Sequence, residues 1–197
     1  MYAEATLQAL TKQTELFERA AALPGRPRER IMAMGEAEEL FFRLHPYHYR
    51  ALQLIRVSSQ LGMTGVRRRD VPNPCESRLL SLLMSIIREA LVTGDLVLTG
   101  SPRSEELAFT LWALAFGTRA LMETRVAVRQ LGITDGLRTS RQAAHVMMDA
   151  LGWLPLSHEW DYEQTRERAI TAILGGAIRR FPSSGDNKPG IEGSKRV

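Results

Sequence analysis

Four prolines divide this chain before any other feature does. Pro27, Pro46, Pro74 and Pro102 each stand at the head of a stretch whose apolar residues recur three and four positions apart. The first turn is the one place a helix accepts proline, because the missing N–H would have no partner there anyway. The pattern therefore reads as helix after helix, and no run of alternating β-branched and polar residues persists long enough for a strand.

The first helix is predicted from about Ala3 to Ala22, with Leu7, Leu10, Thr14, Phe17 and Ala21 on one face, and Leu23-Pro24-Gly25 ends it. The second runs from Pro27 to about Leu44 with a stripe of Ile31, Met34, Ala37, Phe41 and Leu44, and His45-Pro46 closes it and opens a third to about Ser58. Residues 59 to 72 read as a loop with a basic run. Asn73-Pro74-Cys75-Glu76 starts a fourth helix, a cap residue with an acid in the first turn, and Gly94 stops it. Ser101-Pro102, followed by Glu105 and Glu106, opens the longest helix, expected to reach about Leu131. Thr139-Ser140-Arg141-Gln142 has the form of a capping box for a helix to Leu151, and Asp161 caps the last, expected to reach about Arg180 with Gly175-Gly176 inside it. The expectation is an all-α bundle of about seven helices over residues 1–181, with a disordered tail of Ser, Gly, Asp, Asn, Lys and Pro over 182–197.

Composition narrows the function classes. A 197-residue chain with 44% hydrophobic and 24% charged residues is an ordinary globular protein. Its longest nearly apolar run, Leu107 to Phe116, is far short of the ~20 residues that span a bilayer, so no membrane partner is expected. No basic-then-apolar leader opens the sequence, and the one cysteine, Cys75, forms no intrachain disulfide, so a cytoplasmic setting is expected. Of the 26 basic residues three are lysines, and a net charge of +4 is spread along the chain rather than gathered into a nucleic-acid patch.

Two stretches carry a resemblance. ELFERAAALPGRPRERIMAMGEAEELFFRLHPYHYRALQLIRVS, Glu15 to Ser58, resembles the effector domain of TetR-type bacterial transcriptional regulators, in which a helix leaves the DNA-binding domain, a second carries a phenylalanine pair before His-Pro, and a third follows at once. REALVTGDLVLTGSPRSEELAFTLWALAFGTRALM, Arg88 to Met122, is similar to a later signature of that family. There a helix ends in Gly-Asp-Leu and a long helix carries tryptophan and then glycine, the places of Trp112 and Gly117. The resemblance covers residues 1 to 180 and implies a ligand-sensing and dimerising domain, homodimeric, that takes a small hydrophobic effector and no cofactor. The family's helix-turn-helix is expected ahead of the first helix; the sequence opens inside what looks like the connecting helix, so operator DNA is a partner only where that head is supplied. Gln60 to Arg69 (QLGMTGVRRR) lacks the apolar anchor of a recognition turn and reads as a solvated basic loop.

Candidate effector-pocket residues are Met34, Phe41, His45, His48, Met84, Ile87, Trp112 and Phe116, large and adaptable groups at helical spacing with two histidines three apart at a helix start. Such residues also suit a plain core. Candidate dimer residues, implied by the family's pairing of its long and final helices, are Leu111, Ala115, Met122, Ile170, Ile173, Leu174 and Ala177. No metal site is expected, since no Glu-x-x-His pair and no carboxylate at ligand spacing accompanies His45 or His48. No catalytic residues are expected either: Ser157-His158-Glu159 are sequence neighbours that cannot orient one another as a triad, and no Gly-x-Ser-x-Gly, Walker or dinucleotide loop occurs. The acids Glu38-Glu39, Glu105-Glu106 and Asp161/Glu163 read as solvated faces and helix N-termini. Two further classes fit the sequence, a regulatory partner that heterodimerises with full-length regulators without binding DNA, and a small helical enzyme or metal protein.

Overall fold

A computed structural model describes residues 2–60, 74–100, 102–123 and 126–175. It is all-α: α1 (Tyr2–Ala21), α2 (Pro27–Leu44), α3 (Pro46–Gln60), α4 (Pro74–Thr93), α5 (Ser104–Glu123), α6 (Val126–Gln130), α7 (Gly136–Ala150) and α8 (Tyr162–Ile173), with no strand among the described residues. Helices begin at Pro27, Pro46 and Pro74 as the sequence indicates, and the Gly94 and Gly132 stops sit in left-handed backbone at φ 76° and 70°.

Four boundaries differ from the sequence reading. The long helix starts at Ser104 rather than at Ser101-Pro102, because the Glu106 carboxylate turns back to accept from the backbone N–H of Arg103 at 2.7 Å and so fixes Arg103 ahead of the first turn. Its far end is described as two elements, α5 and α6, which brings the helices to eight. Helix α7 is capped by Asp135, four residues before the Thr139 box. The Asp135 side chain accepts from the Arg138 N–H at 3.0 Å, and Thr139 Oγ1 bonds back to the Asp135 carbonyl from inside the helix. Finally α8 ends at Ile173, since Gly175 adopts φ 64°, a left-handed stop rather than a helical residue. Ala177, the basic loop at 61–69 and the 182–197 tail lie outside the described residues, as does the Cys75 side chain.

Helix α2 is central. It packs against α1, α3, α4 and α8, while α5 packs on α4 and α7 at one side. The main core gathers Phe17 and Ala20 of α1, Ile31, Met34 and Ala37 of α2, Ile86 and Ile87 of α4, Leu107 of α5, Met148 of α7, Trp153, and Ala169 and Ile173 of α8. Burying side chains of this size stabilises by about 1.5–3 kcal/mol each. A second, smaller cluster joins Ala9 and Leu10 of α1 to Phe41, Tyr49 and Leu52 at the α2–α3 corner. Of the predicted α2 stripe, only Leu44 is substantially exposed, at the helix end.

At the α1–α2 turn Gly25 has φ 154°, and a Cβ there would stand 2.9 Å from the Glu29 carboxylate. That carboxylate accepts the Arg26 N–H at 2.9 Å, so the glycine leaves room for the cap that starts α2.

Candidate functional site

Two features of the interior stand apart from ordinary packing. The first is a charged spine along α2. Arg28 is fully buried. It reaches Asp149 at 2.7 Å and the Trp153 carbonyl at 2.6 Å, and its guanidinium lies 5.0 Å from the Tyr162 ring centre. Glu29 accepts from Arg168 and, at 3.3 Å, from Thr165 Oγ1. Glu36 takes Arg141 at 2.7 Å and Arg166 at 3.1 Å, and Glu39 takes Arg141 at 2.8 Å and Arg43 at 2.7 Å. The sequence reading of Glu38-Glu39 as a solvated face is therefore corrected: Glu39 is buried and Glu38 half-buried. The arginines of α7 and α8 come from far along the chain and are what allow these carboxylates to leave water.

These environments shift protonation. Burial raises the Glu36 carboxyl above its ordinary range, against the pull of Arg141 and Arg166. Burial beside Arg28 lowers His145 to about 4, so its imidazole is neutral at pH 7. Asp149 is lowered: burial opposes its charge, but the Ser157 hydroxyl and backbone N–H and the Arg28 guanidinium prevail.

The second feature is a cavity of about 170 Å³ among α1, α2, α4, α5 and α7. Its apolar wall includes Phe17, Met32, Met34, Leu79, Leu83, Leu111, Trp112, Leu137 and Met148, and its polar side holds Gln13, Glu36, Glu38, Glu39, Arg119 and Arg141. Gln13 lies on α1 in an otherwise apolar row of Leu10, Phe17 and Ala20, between the two clusters, and its Nε2 donates to Glu38 at 3.1 Å. Arg119 Nη1 donates to the Ala115 carbonyl at 2.9 Å, and its Nε stands 3.9 Å from Glu38.

Of the pocket residues read from sequence, Met34 and Trp112 line the cavity. Phe41 is instead the centre of the second cluster, tilted against His45 and Tyr49. Ile87 is fully buried core, Met84 packs on the core from α4, and Phe116 is half-buried and not among the lining residues. His45 and His48 sit edge to face with ring centres 5.7 Å apart at the α2–α3 corner, outside the cavity. The His45 imidazole is held below its ordinary pKa by burial and by Lys12 and His48. Among the described residues no three His, Cys, Asp or Glu come together as a metal cage. Ser157 donates to Asp149, while His158 is exposed and pairs only with its neighbour Glu159 at 3.9 Å.

The dimer residues divide as well. Leu111 and Ala115 line the cavity rather than an outer face, and Met122 is half-buried against Gly136, where an added Cβ would meet its Cγ at 3.1 Å. Ile173 is fully buried in its own chain's core, and Ile170 and Leu174 pack on that core, because α8 turns its apolar face to α2 and α1. The outward row of α5 is Phe109, Ala113 and Ala120, with Phe109 65% exposed and Phe116 half-buried beside them.

The sequence reading missed Gln13, Arg119 and the glutamates of the cavity. One signal was present: Gln13 breaks an apolar row, as Arg119 breaks the apolar run of α5. No protein-family model, no curated protein and no solved structure matches the chain.

Proposed function

We propose that this chain is the effector-sensing and dimerisation domain of a TetR-like transcriptional regulator, binding a small, largely apolar molecule and passing its presence to α1. The observation that carries this reading is the cavity: a mainly apolar hollow next to fully packed core, lined by two methionines of α2 and bordered by polar groups that can orient a guest. Its α1 wall, Gln13 and Phe17, lies where α1 passes from the main core to the second cluster. A guest that bears on this wall favours one setting of α1 over another, which is how a ligand with unequal affinity for two arrangements shifts their populations. In a regulator of this type α1 leads to the DNA-binding head, and its setting governs operator affinity.

The dimer face in this reading is the outward row of α5. From Leu107 to Thr118 this helix carries no charged residue, and a helix that is apolar on all sides is ordinarily buried on all sides. A second copy of the same row supplies that cover.

Titration calorimetry with small single-ring probes, ethylbenzene first, tests the sensor half: binding by the native chain, abolished when Leu83→Phe fills the hollow, is the expected result, and failure of every such probe overturns it. Light scattering tests the other half, where a monomer at micromolar concentration defeats the dimer.

A further inference from the structure

We propose that the effector of this cavity is a neutral, single-ring-sized molecule bearing one hydroxyl group, seated between Gln13 and Arg119; this rests on the sensor reading above and specifies its ligand. Among the described residues, six buried side-chain polar atoms have no hydrogen-bond partner, and the two that belong to cavity-lining residues are Gln13 Oε1, an acceptor, and Arg119 Nε, a donor. Gln13 is 1% exposed and Arg119 4%, so water does not satisfy them freely. Both flank one group, the Glu38 carboxylate, which orients the Gln13 amide by taking its NH₂ and leaves the amide oxygen unused.

A buried donor and a buried acceptor left unpaired about the two oxygens of one carboxylate are costly, and a guest that satisfies both removes that cost. A hydroxyl does so with one atom: it donates to Gln13 Oε1 and accepts from Arg119 Nε–H. A carboxylate has nothing to donate and faces Glu38, whereas an ammonium has nothing to accept with and faces Arg119. Around the site Glu36 is held by Arg141 and Arg166 and Glu39 by Arg141 and Arg43, so these two carboxylates offer a cationic guest no open charge; Glu38, at 3.9 Å from Arg119, and Glu76 also line the hollow, and an ammonium probe tests them. Size sets the rest. An apolar cavity of about 150 Å³ holds benzene, and this one, at about 170 Å³, takes a ring with a short substituent.

Calorimetry with four probes on the intact chain decides the matter: 4-ethylphenol, ethylbenzene, 4-ethylbenzoate and 4-ethylbenzylammonium. The phenol is expected to bind at least tenfold more tightly than ethylbenzene, since a site built to pair a hydroxyl rejects the analogue that lacks it. The two ions are expected to bind more weakly than the hydrocarbon. In Gln13→Leu and Arg119→Met the phenol's advantage over ethylbenzene should shrink to within about threefold. Equal binding of phenol and hydrocarbon overturns the hydroxyl assignment while leaving the sensor cavity standing. Tightest binding of either ion overturns it too, as does a phenol preference that survives both substitutions. Failure of all four probes removes the cavity reading itself. The four-probe comparison on the native chain needs no variant, so a substitution that prevents folding does not blunt the test.

Discussion

Helices α2 and α5 invert the usual rule about what belongs inside. Helix α2 is rich in charge and mean-hydrophilic, yet twelve of its eighteen residues are buried, Arg28, Glu29, Glu36 and Glu39 among them. Helix α5 is the more apolar of the two, yet Leu107, Ala108 and Arg119 are its only fully buried residues among those described. The difference lies in what each helix finds across from it. Helix α2 meets arginines of α7 and α8 at bonding distance on the faces where it carries acids, so its polarity defines how those helices dock. Among the described residues helix α5 packs chiefly against α4 and α7, and Phe109 on its other side stays exposed. Burial in this protein thus follows the supply of partners rather than the hydrophobicity of the segment.

That contrast can be broken most forcefully at Arg28. Replacing it by methionine leaves the Trp153 carbonyl without its donor and Asp149 with its Ser157 bonds alone, and an unsatisfied buried group of this kind costs about 1–3 kcal/mol. Urea unfolding should show an unfolding free energy lower by that amount, and a loss below about 1 kcal/mol would mean that α2 is held by its apolar stripe alone.

Acid is the next lever. His145 has a folded pKa of about 4 against an ordinary 6.5. Below pH 6.5 the unfolded chain takes up a proton that the folded chain refuses, so this residue's contribution is fully favourable above pH 6.5 and is lost as the pH falls toward 4. The full difference is about 3 kcal/mol. A thermal-unfolding series from pH 7 to pH 4 should show this decline, and His145→Gln should flatten it. An unchanged slope in the variant would move the acid sensitivity elsewhere.

The smallest effect on stability belongs to α5. Phe109→Asp changes an exposed residue and should alter the unfolding free energy of the subunit by no more than about 0.5 kcal/mol. Its consequence is for self-association: sedimentation should find the variant monomeric at concentrations where the native chain is dimeric. A dimer that survives this charge would place the contact on another face.

Much of the fold was legible because proline, glycine and apolar spacing act locally. Pro27, Pro46 and Pro74 start helices where they should, and the Ile31, Met34, Ala37 and Phe41 stripe is buried. The α7 start was not, because Asp135 and Thr139 both offer capping chemistry and only backbone geometry chooses between them. The site was hidden for a longer-range reason. Met34 and Trp112 could be named from size and spacing, but the pairing of Glu36 with Arg141 and Arg166 joins residues 105 and 130 positions apart. No local pattern distinguishes such a carboxylate from one facing water. Ile173, expected at a dimer face, lies in its own chain's core, and an amphipathic helix does not say whether its apolar side meets its own chain or another.

The distance between the α2 acids and their arginines has a consequence for biosynthesis. A chain emerging from the ribosome presents Glu29, Glu36 and Glu39 long before Arg141, Arg166 and Arg168 exist, and carboxylates without counter-ions stay hydrated. Helix α2 can form early, but it cannot be enclosed until α7 and α8 arrive.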